Sequence, residues 1–402
     1  MLQFGDIIAH VGKLAAETAR RTSVRSSQTE IAVAQAKLPA AVWRGHHDRI
    51  LGAQTAWLTA RPISAESVAS AVAKTPLNAP TIYTAFSVDG SQIPLDRHEI
   101  AVCYLLNIGS VAIHYGTGDR PTLTSRAALH YTDKDVLIGA SDADGDAANS
   151  YITDRELSNR RFLAEIDALG DLIDACADRP DVVGFIDGTL ILWTQETEER
   201  EERAEAVLRL SAMLEKARER RIPIIGYLSR PASREVIGAL RVSLCPLEHV
   251  VCKLCPYVER GEPLPCAPID RLCDADLFSE LLRPRERSGL FMSQSKILSS
   301  YKPAHNKIGF FYLNTGREIA RIELPRWVCD DPALLARSHA VTLDQIDKGA
   351  GYPICLTEAH EQAVVRAPDR AAFFRLVERA LVGSGQPAVR TAKAVAKRRG
   401  VL

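Results

Sequence analysis

Two short runs place an acid in the same local setting. FSVDGS carries Asp89, Gly90 and Ser91, and GFIDGT carries Asp187, Gly188 and Thr189. Each acid follows an apolar run and precedes a glycine and a hydroxyl residue. Magnesium and manganese take oxygen ligands in a rigid frame and leave positions open for water and phosphate. Carboxylates at the ends of adjacent core strands would supply that frame. Two such ions about 3.5 to 4 Å apart would stabilise the attacking and leaving oxygens of an in-line displacement. The glycine beside each acid is expected to let a phosphate backbone approach closely. Asp-Gly between alternating apolar runs is equally a hairpin signal, so two unrelated turns are the competing expectation. Ser91 would then bond a phosphate, bond a ligand carboxylate, or cap its own turn.

A third feature favours chemistry. GYPICLTEAH brings Tyr352 and His360 close together in sequence, and both side chains can move protons or contact a scissile phosphate. A histidine on an apolar helix is otherwise a structural residue, so the weight rests on the segments occurring together. A separate cluster is CPLEHVVCKLCPYVERGEPLPCAPIDRLC, where Cys252 and Cys255 form a CxxC. Cys245, Cys266 and Cys273 are available to complete four ligands, which would suit zinc (Zn2+) or an iron–sulfur cluster. Cysteines also serve as ordinary core residues. The segment, about 243–275, reads as an inserted loop stapled by metal.

The elements that must position these groups follow from periodicity. Residues 1–75 are alanine-rich with helical spacing and read as an N-terminal helical arm. From Thr81 the pattern turns to β-rich runs, TIYTAFSVDG and then EIAVCYLLNIGSVAIHYG, where Gly109 looks like a hairpin or bulge. GASDADGDAANSY reads as a surface loop. DRELSNRRFLAEIDALGDLIDACA places Leu157, Phe162, Leu163, Ile166, Leu169, Leu172 and Ile173 at helical spacing. A buried strand carrying Asp187 follows, then a charged helix from about 196 to 221 and the strand IPIIGYLS. Strand, helix, strand at these lengths implies an α/β sheet with parallel pairs. IGFFYLNTG and EIARIELPRW should pair through a turn at Gly316. A helix carrying His360 and a second helix, separated at Pro368, complete the region to about 385, and 386–402 reads as a basic tail.

Composition narrows the class. Of 402 residues, 46% are hydrophobic and 25% charged, the balance of a folded chain rather than a disordered tail. Lys plus Arg and Asp plus Glu are 50 each, so no global positive field announces a nucleic-acid partner and any DNA contact must be local. Basic residues do cluster, at Arg20, Arg21 and Arg25, at Arg283, Arg285 and Arg287, at Lys296, Lys302 and Lys307, and at Lys393, Lys397, Arg398 and Arg399. No apolar run reaches the roughly 20 residues of a membrane span, and the start does not read as a signal peptide. A cytoplasmic, non-membrane protein is expected, in which nine cysteines are not a disulfide framework.

Taken together, the chain resembles the NurA family of prokaryotic DNA-end-processing nucleases. FSVDGSQIP with NIGSVAIHYG, RRFLAEIDAL before VVGFIDGTLILW, PIIGYLSRPASREVIGALR, FFYLNTGREIARIELPRW and GYPICLTEAHEQAVV carry the likeness, in family order over roughly 80–375. The resemblance implies a ribonuclease H-like α/β core with flanking helices, spanning 76–385. It also implies a homodimer, manganese-dependent (Mn2+, or Mg2+) cleavage of DNA during end resection, and a HerA-type hexameric ATPase translocase as partner. Position by position it makes Asp89 the first acid, Asp187 the second, and Tyr352 and His360 the C-terminal pair. The family's helix-borne glutamate falls on Glu165, since Arg161 to Glu165 matches RxxxE, with Glu156 as rival. Asp89, Glu165 and Asp187 would bind metal, His360 would be a further ligand or proton-transfer group, and Tyr352 would position phosphate. The cysteine segment departs from the minimal family pattern and would stabilise an insertion or contact DNA or the translocase. Arg321 and Glu323 are expected to support the structure around the site. Two other outcomes are compatible with these residues: a catalytically silent DNA-binding adaptor of a translocase, and a nuclease component of an anti-phage system.

Overall fold

The computed structural model describes residues 4–63, 78–96, 100–138, 150–193 and 200–386. The loop expected at 139–151 lies outside the described residues up to 149, and its last two residues, Ser150 and Tyr151, form a short strand antiparallel to Leu137–Ile138; the helix expected in AESVASAVAK and the basic tail beyond 386 also lie outside the described residues. In chain order the principal elements are α1 (Gly5–Ala36), α2 (Ala40–Gly52), β1 (Ala60–Pro62), β2 (Tyr83–Ile93), β3 (Tyr104–Tyr115), β4 (Thr122–His130) and α3 (Asp154–Ala175). They continue with β5 (Val182–Asp187), α4 (Arg200–Glu219), β6 (Ile224–Leu228), α5 (Glu235–Leu244), α6 (Asp274–Leu281), β7 (Phe291–Ser293), β8 (Ile308–Asn314) and β9 (Ile319–Pro325). Three helices close the described chain: α7 (Pro332–Lys348), α8 (Ile354–Ala363) and α9 (Ala367–Gly383). The fold is mixed α/β, and the chain divides into two compact units.

The first unit comprises 1–79, 188–197 and 225–344. Its strands run β1-β7-β8-β9-β6, each antiparallel to its neighbour. β8 and β9 form the expected hairpin, and Gly316 takes the turn position with φ +85°, where a Cβ would be strained. Every residue of β9 is buried. Ala32, Ala36, Trp43 and Ile50 from α1 and α2 join the core with Ile237, Leu240, Phe278, Phe291 and Phe310. The region expected to be helical therefore contains a strand, β1, which pairs with β7. Three residues are too few to display an alternating pattern, so sequence periodicity missed it.

The second unit comprises 80–187, 198–224 and 345–402. Its strand order is β5-β2-β3-β4, with β2 antiparallel to β3, β3 antiparallel to β4, and β5 parallel to β2. A parallel partner requires a crossover, and α3 supplies it. Thr153 starts that helix with a capping box: Thr153 Oγ1 accepts from Glu156 N, and the Glu156 carboxylate accepts from Thr153 N at 2.8 Å. Leu157, Leu163, Ile166, Leu169 and Ile173 are buried along one face, as their spacing requires.

Two glycines behave differently from the sequence expectation. β2 does not end at Asp89 but runs on to Ile93, with Asp89 opposite Gly109 of β3. Gly109 is likewise neither hairpin nor bulge, because β3 is continuous through it. Its role is contact: a Cβ there would stand 2.5 Å from both Ala359 O and Ala363 N of α8, whose backbone lies directly on the strand. Backbone atoms of a packed helix cannot swing aside. We therefore predict that Gly109→Ala lowers the unfolding free energy by about 1–3 kcal/mol in urea titrations. An unchanged midpoint would mean that α8 does not sit on β3 this closely.

Candidate active site

All five residues expected to carry chemistry belong to the second unit. Asp89 lies on β2, opposite Gly109 of β3 and one residue past the last pair with β5, and its side chain is 26% exposed. Its Oδ1 accepts from Gly90 N at 2.8 Å, and its Oδ2 is 2.8 Å from His360 Nδ1. Asp187 is the last residue of β5 and is exposed. Its Oδ1 accepts from the Tyr352 hydroxyl at 2.7 Å. Each C-terminal residue of the sequence motif is thus bonded to one of the two acids.

Glu165 faces the same acids from α3. It is paired with Arg161, one helical turn back, at 3.3 Å. A Cβ on residue 90 would collide with Glu165 Oε1 and stand 2.8 Å from Arg161 Cγ. Gly90 therefore leaves room for a carboxylate and its arginine partner from α3, where the sequence pointed to room for phosphate. Glu156, the rival, is committed to capping the start of its own helix. The two Asp-Gly pairs also differ in kind. Gly188 has φ +123° and marks a real backbone turn after β5, whereas Gly90 continues a strand.

Further contacts fix where α8 presents His360. Ser91 donates to the Ala363 carbonyl, and Asn107 Nδ2 reaches the same oxygen at 2.7 Å. These bonds satisfy a carbonyl left unpaired at a helix end. Ser91 thus neither caps its own turn nor points to a ligand. Ser125 in turn holds the Asn107 Oδ1 at 3.0 Å. At the other end of α8, Gln345 Oε1 accepts from Cys355 N, and Gln345 Nε2 donates to the Tyr83 hydroxyl. Asn107 and Gln345 were missed by sequence reasoning. A polar side chain inside the apolar run YLLNIGSV was the available signal for Asn107.

The electrostatics identify Glu165 as the group that a cation would change most. Burial pushes its carboxyl up from 4.5 to about 7, the Arg161 guanidinium pulls it down, and the Asp89 and Asp187 carboxylates push it up again. Three carboxylates that sense one another make a hard-oxygen donor set suited to magnesium or manganese rather than to a soft metal. Among the described residues, however, no three or more His, Cys, Asp or Glu are drawn together closely enough to hold a metal ion. Each acid is instead turned to its own protein partner.

The expectation of zinc or an iron–sulfur cluster at the cysteines finds no support in the sulfur positions. Cys245, Cys252, Cys255, Cys266 and Cys273 are free thiols and form no metal-holding group among the described residues. Cys245 and Cys252 pack against the hydrophobic core of the first unit. Cys273 begins α6, with its Sγ 3.1 Å from Asp276 Oδ2 and its thiol pushed up to about 11, chiefly by burial. That shift opposes the thiolate a metal needs. Two basic clusters are also spoken for in part. Arg20 and Arg21 pair with Glu17, and Arg287 is buried with its guanidinium over the Phe311 ring.

The raised Glu165 value fixes the sign of a pH effect. The folded chain holds a proton that the unfolded chain releases between about pH 4.5 and about pH 7, so this group's contribution to stability falls as pH rises through that window. In chelator, Glu165→Gln should gain up to about 3 kcal/mol over the wild-type chain at pH 8 and nothing at pH 4. Parallel pH profiles of unfolding free energy for the two chains would contradict the assignment.

Comparisons with known proteins agree with the resemblance noted in the sequence. No curated protein matches the chain. Among solved structures, the NurA nuclease from Sulfolobus solfataricus is similar at 13% identity and TM-score 0.48, covering 79% of this chain and 89% of that one. A crystal structure of NurA with manganese is similar at 14% identity and TM-score 0.37, covering 79% and 92%. The model of the NurA domain matches residues 83–365, well over half the sequence, and includes every residue of the candidate site. The chain belongs to the NurA domain family.

Proposed function

We propose that this chain is a divalent-metal-dependent DNA nuclease that hydrolyses phosphodiester bonds while trimming DNA ends. The observation that carries the reading is the convergence of three acids from β2, α3 and β5, two of them bonded to His360 and Tyr352. Three antiparallel strands, a helix and a parallel strand returning beside the first also supply what a ribonuclease H-like core needs. Bound between the acids, manganese or magnesium would activate water and neutralise charge developing on the phosphate.

The chain's own groups divide the remaining work. Asp89 sits within β2, paired with Gly109 of β3, which favours it as the fixed ligand. Asp187 follows β5 at the start of a turn and is exposed, so it can face solvent and phosphate together. Glu165 would hold the ion as a carboxylate, since opposite charge nearby favours the ionised form. His360 Nδ1 is occupied by Asp89, which orients the ring and leaves Nε2 for proton transfer to or from the reacting oxygens. Tyr352 donates to Asp187 and can redirect that hydroxyl to a phosphate oxygen once the carboxylate is engaged.

The near-zero formal charge favours weak free DNA binding and dependence on a partner, for which the family's HerA translocase is the proposed motor. A homodimer remains part of the proposal by family resemblance. The test is digestion of end-labelled linear DNA in manganese, magnesium or chelator. Wild-type chain should shorten the label only with a divalent ion, and Asp89→Asn and Asp187→Asn should each reduce the rate by at least about a hundredfold. A wild-type chain that leaves the label intact with every ion, even with translocase and ATP, would instead support a silent adaptor.

A further inference from the structure

The first unit contains an aromatic-walled cavity that the proposed chemistry leaves unused. Trp57 and Leu58, just before β1, line it together with Trp193 and with Arg234 and Glu235 at the start of α5. All five residues belong to this unit. The cavity has a volume of about 360 Å³ and opens to solvent, which places it in the size range of sites for small ligands and single rings.

Both indoles are fixed by their polar edges. Trp57 Nε1 donates to Gly238 O at 3.0 Å, and the Arg241 guanidinium lies 3.7 Å from the centroid of the same ring. Gly238 permits this approach, because a Cβ there would collide with Leu58 O and stand 2.8 Å from Trp57 Cδ1. Trp193 Nε1 donates to Thr189 Oγ1 at 3.2 Å, and that hydroxyl donates to Glu323 Oε2 at 2.8 Å. Packing does not consume these rings. Trp43 of the same unit is 2% exposed, whereas Trp57 and Trp193 are half-buried and Leu58 is 39% exposed. Indoles whose N–H groups are already satisfied offer apolar ring surface and suit a flat ring as guest. The charges suit an anionic guest. Arg234 is exposed at the rim, and the one acid in the wall, Glu235, is buried with its Oε1 accepting from Arg321 Nη1 at 2.6 Å.

We infer that this cavity binds an unpaired base of DNA against the indoles, with Arg234 meeting a phosphate of the same strand. The inference rests on the reading of the chain as a protein that acts on DNA, and it adds the form of DNA that the first unit takes. A base inside a duplex shows only its edge in the grooves, so a frayed or single-stranded segment is needed to bring a ring face to the indoles. Stacking tolerates any sequence because every base has a π face. That tolerance is what processing of arbitrary ends requires.

The test titrates the full chain, in chelator and at low salt, into a short fluorescein-labelled single strand and into a blunt duplex of the same sequence, with binding read by anisotropy. Trp193→Ala should bind the single strand about 5- to 100-fold more weakly, the range for removing one stacking ring, and the duplex within about twofold of wild type. Trp193→Phe keeps a ring and should stay within about threefold of wild type on the single strand. Arg234→Gln should lower the slope of log affinity against log salt by about 0.7, one phosphate contact on a single strand. Unchanged single-strand affinity in Trp193→Ala overturns the inference and leaves the cavity to a protein partner. Equal losses on single strand and duplex overturn it too, as does a phenylalanine variant no better than the alanine one, and an unchanged slope overturns the contact with Arg234. If Trp193→Ala does not melt cooperatively, Trp193→Leu replaces it as apolar bulk without a π face. Failure of both to fold would make Trp193 a core residue and overturn the proposal. Wild-type chain that binds neither DNA defeats the DNA reading and the inference with it, whereas wild-type binding with an unaffected alanine variant defeats only the cavity.

Discussion

Asp89, Glu165 and Asp187 lie within electrostatic reach of one another, and like charges repel. That repulsion is the constraint on which the arrangement of the second unit turns. Each acid is accordingly given a protein partner: Asp89 has His360 and the Gly90 amide, Asp187 has the Tyr352 hydroxyl, and Glu165 has Arg161. These side-chain partners come from α8, from the turn before it and from α3, so the arrangement of the acids draws on several elements at once. Glu165 carries the largest cost, because burial raises it before either neighbouring acid adds to the effect. Its affinity for a proton near neutral pH makes it the natural place for proton and metal to compete.

Close backbone approach is what lets these elements meet. Gly90 admits the Glu165 carboxylate to β2, and Gly109 admits the backbone of α8 to β3. Ser91 and Asn107 then tie the end of α8 to the same two strands. In the first unit, Gly226 similarly makes room beside Gly188, where Glu323 holds the residues after Asp187. Small residues and buried acceptors do at the level of packing what the acids need at the level of charge.

Much of this was legible in the sequence, and the failures have identifiable causes. Long periodic elements such as α3, and the β8–β9 hairpin with its glycine, follow from spacing and turn chemistry alone. Asp89, Asp187, Tyr352 and His360 stood out as chemistry-bearing residues, and the fold pairs them through hydrogen bonds that no local pattern encodes. Family resemblance favoured Glu165 over Glu156, and the capping box explains the difference physically, since Thr-x-x-Glu is itself a helix-start signal that could have been read. The glycines misled because turn propensity is local, while the demand for a missing Cβ at residues 90 and 109 comes from helices 70 and 250 residues away in the chain. The cysteines misled because density in sequence is not proximity of sulfurs in space. β1 was missed because three residues cannot establish a period.

The central claim is that Asp89, Glu165 and Asp187 bind one kind of hard cation and that Glu165 gives up its proton when they do. It is tested most directly by calorimetric titration of manganese into the chain at pH 6, in two buffers of different ionisation enthalpy, with Glu165→Gln alongside. The account predicts release of about one proton per wild-type chain, and loss of that release in the variant. Manganese binding with no proton release, or equal release from both chains, would contradict it.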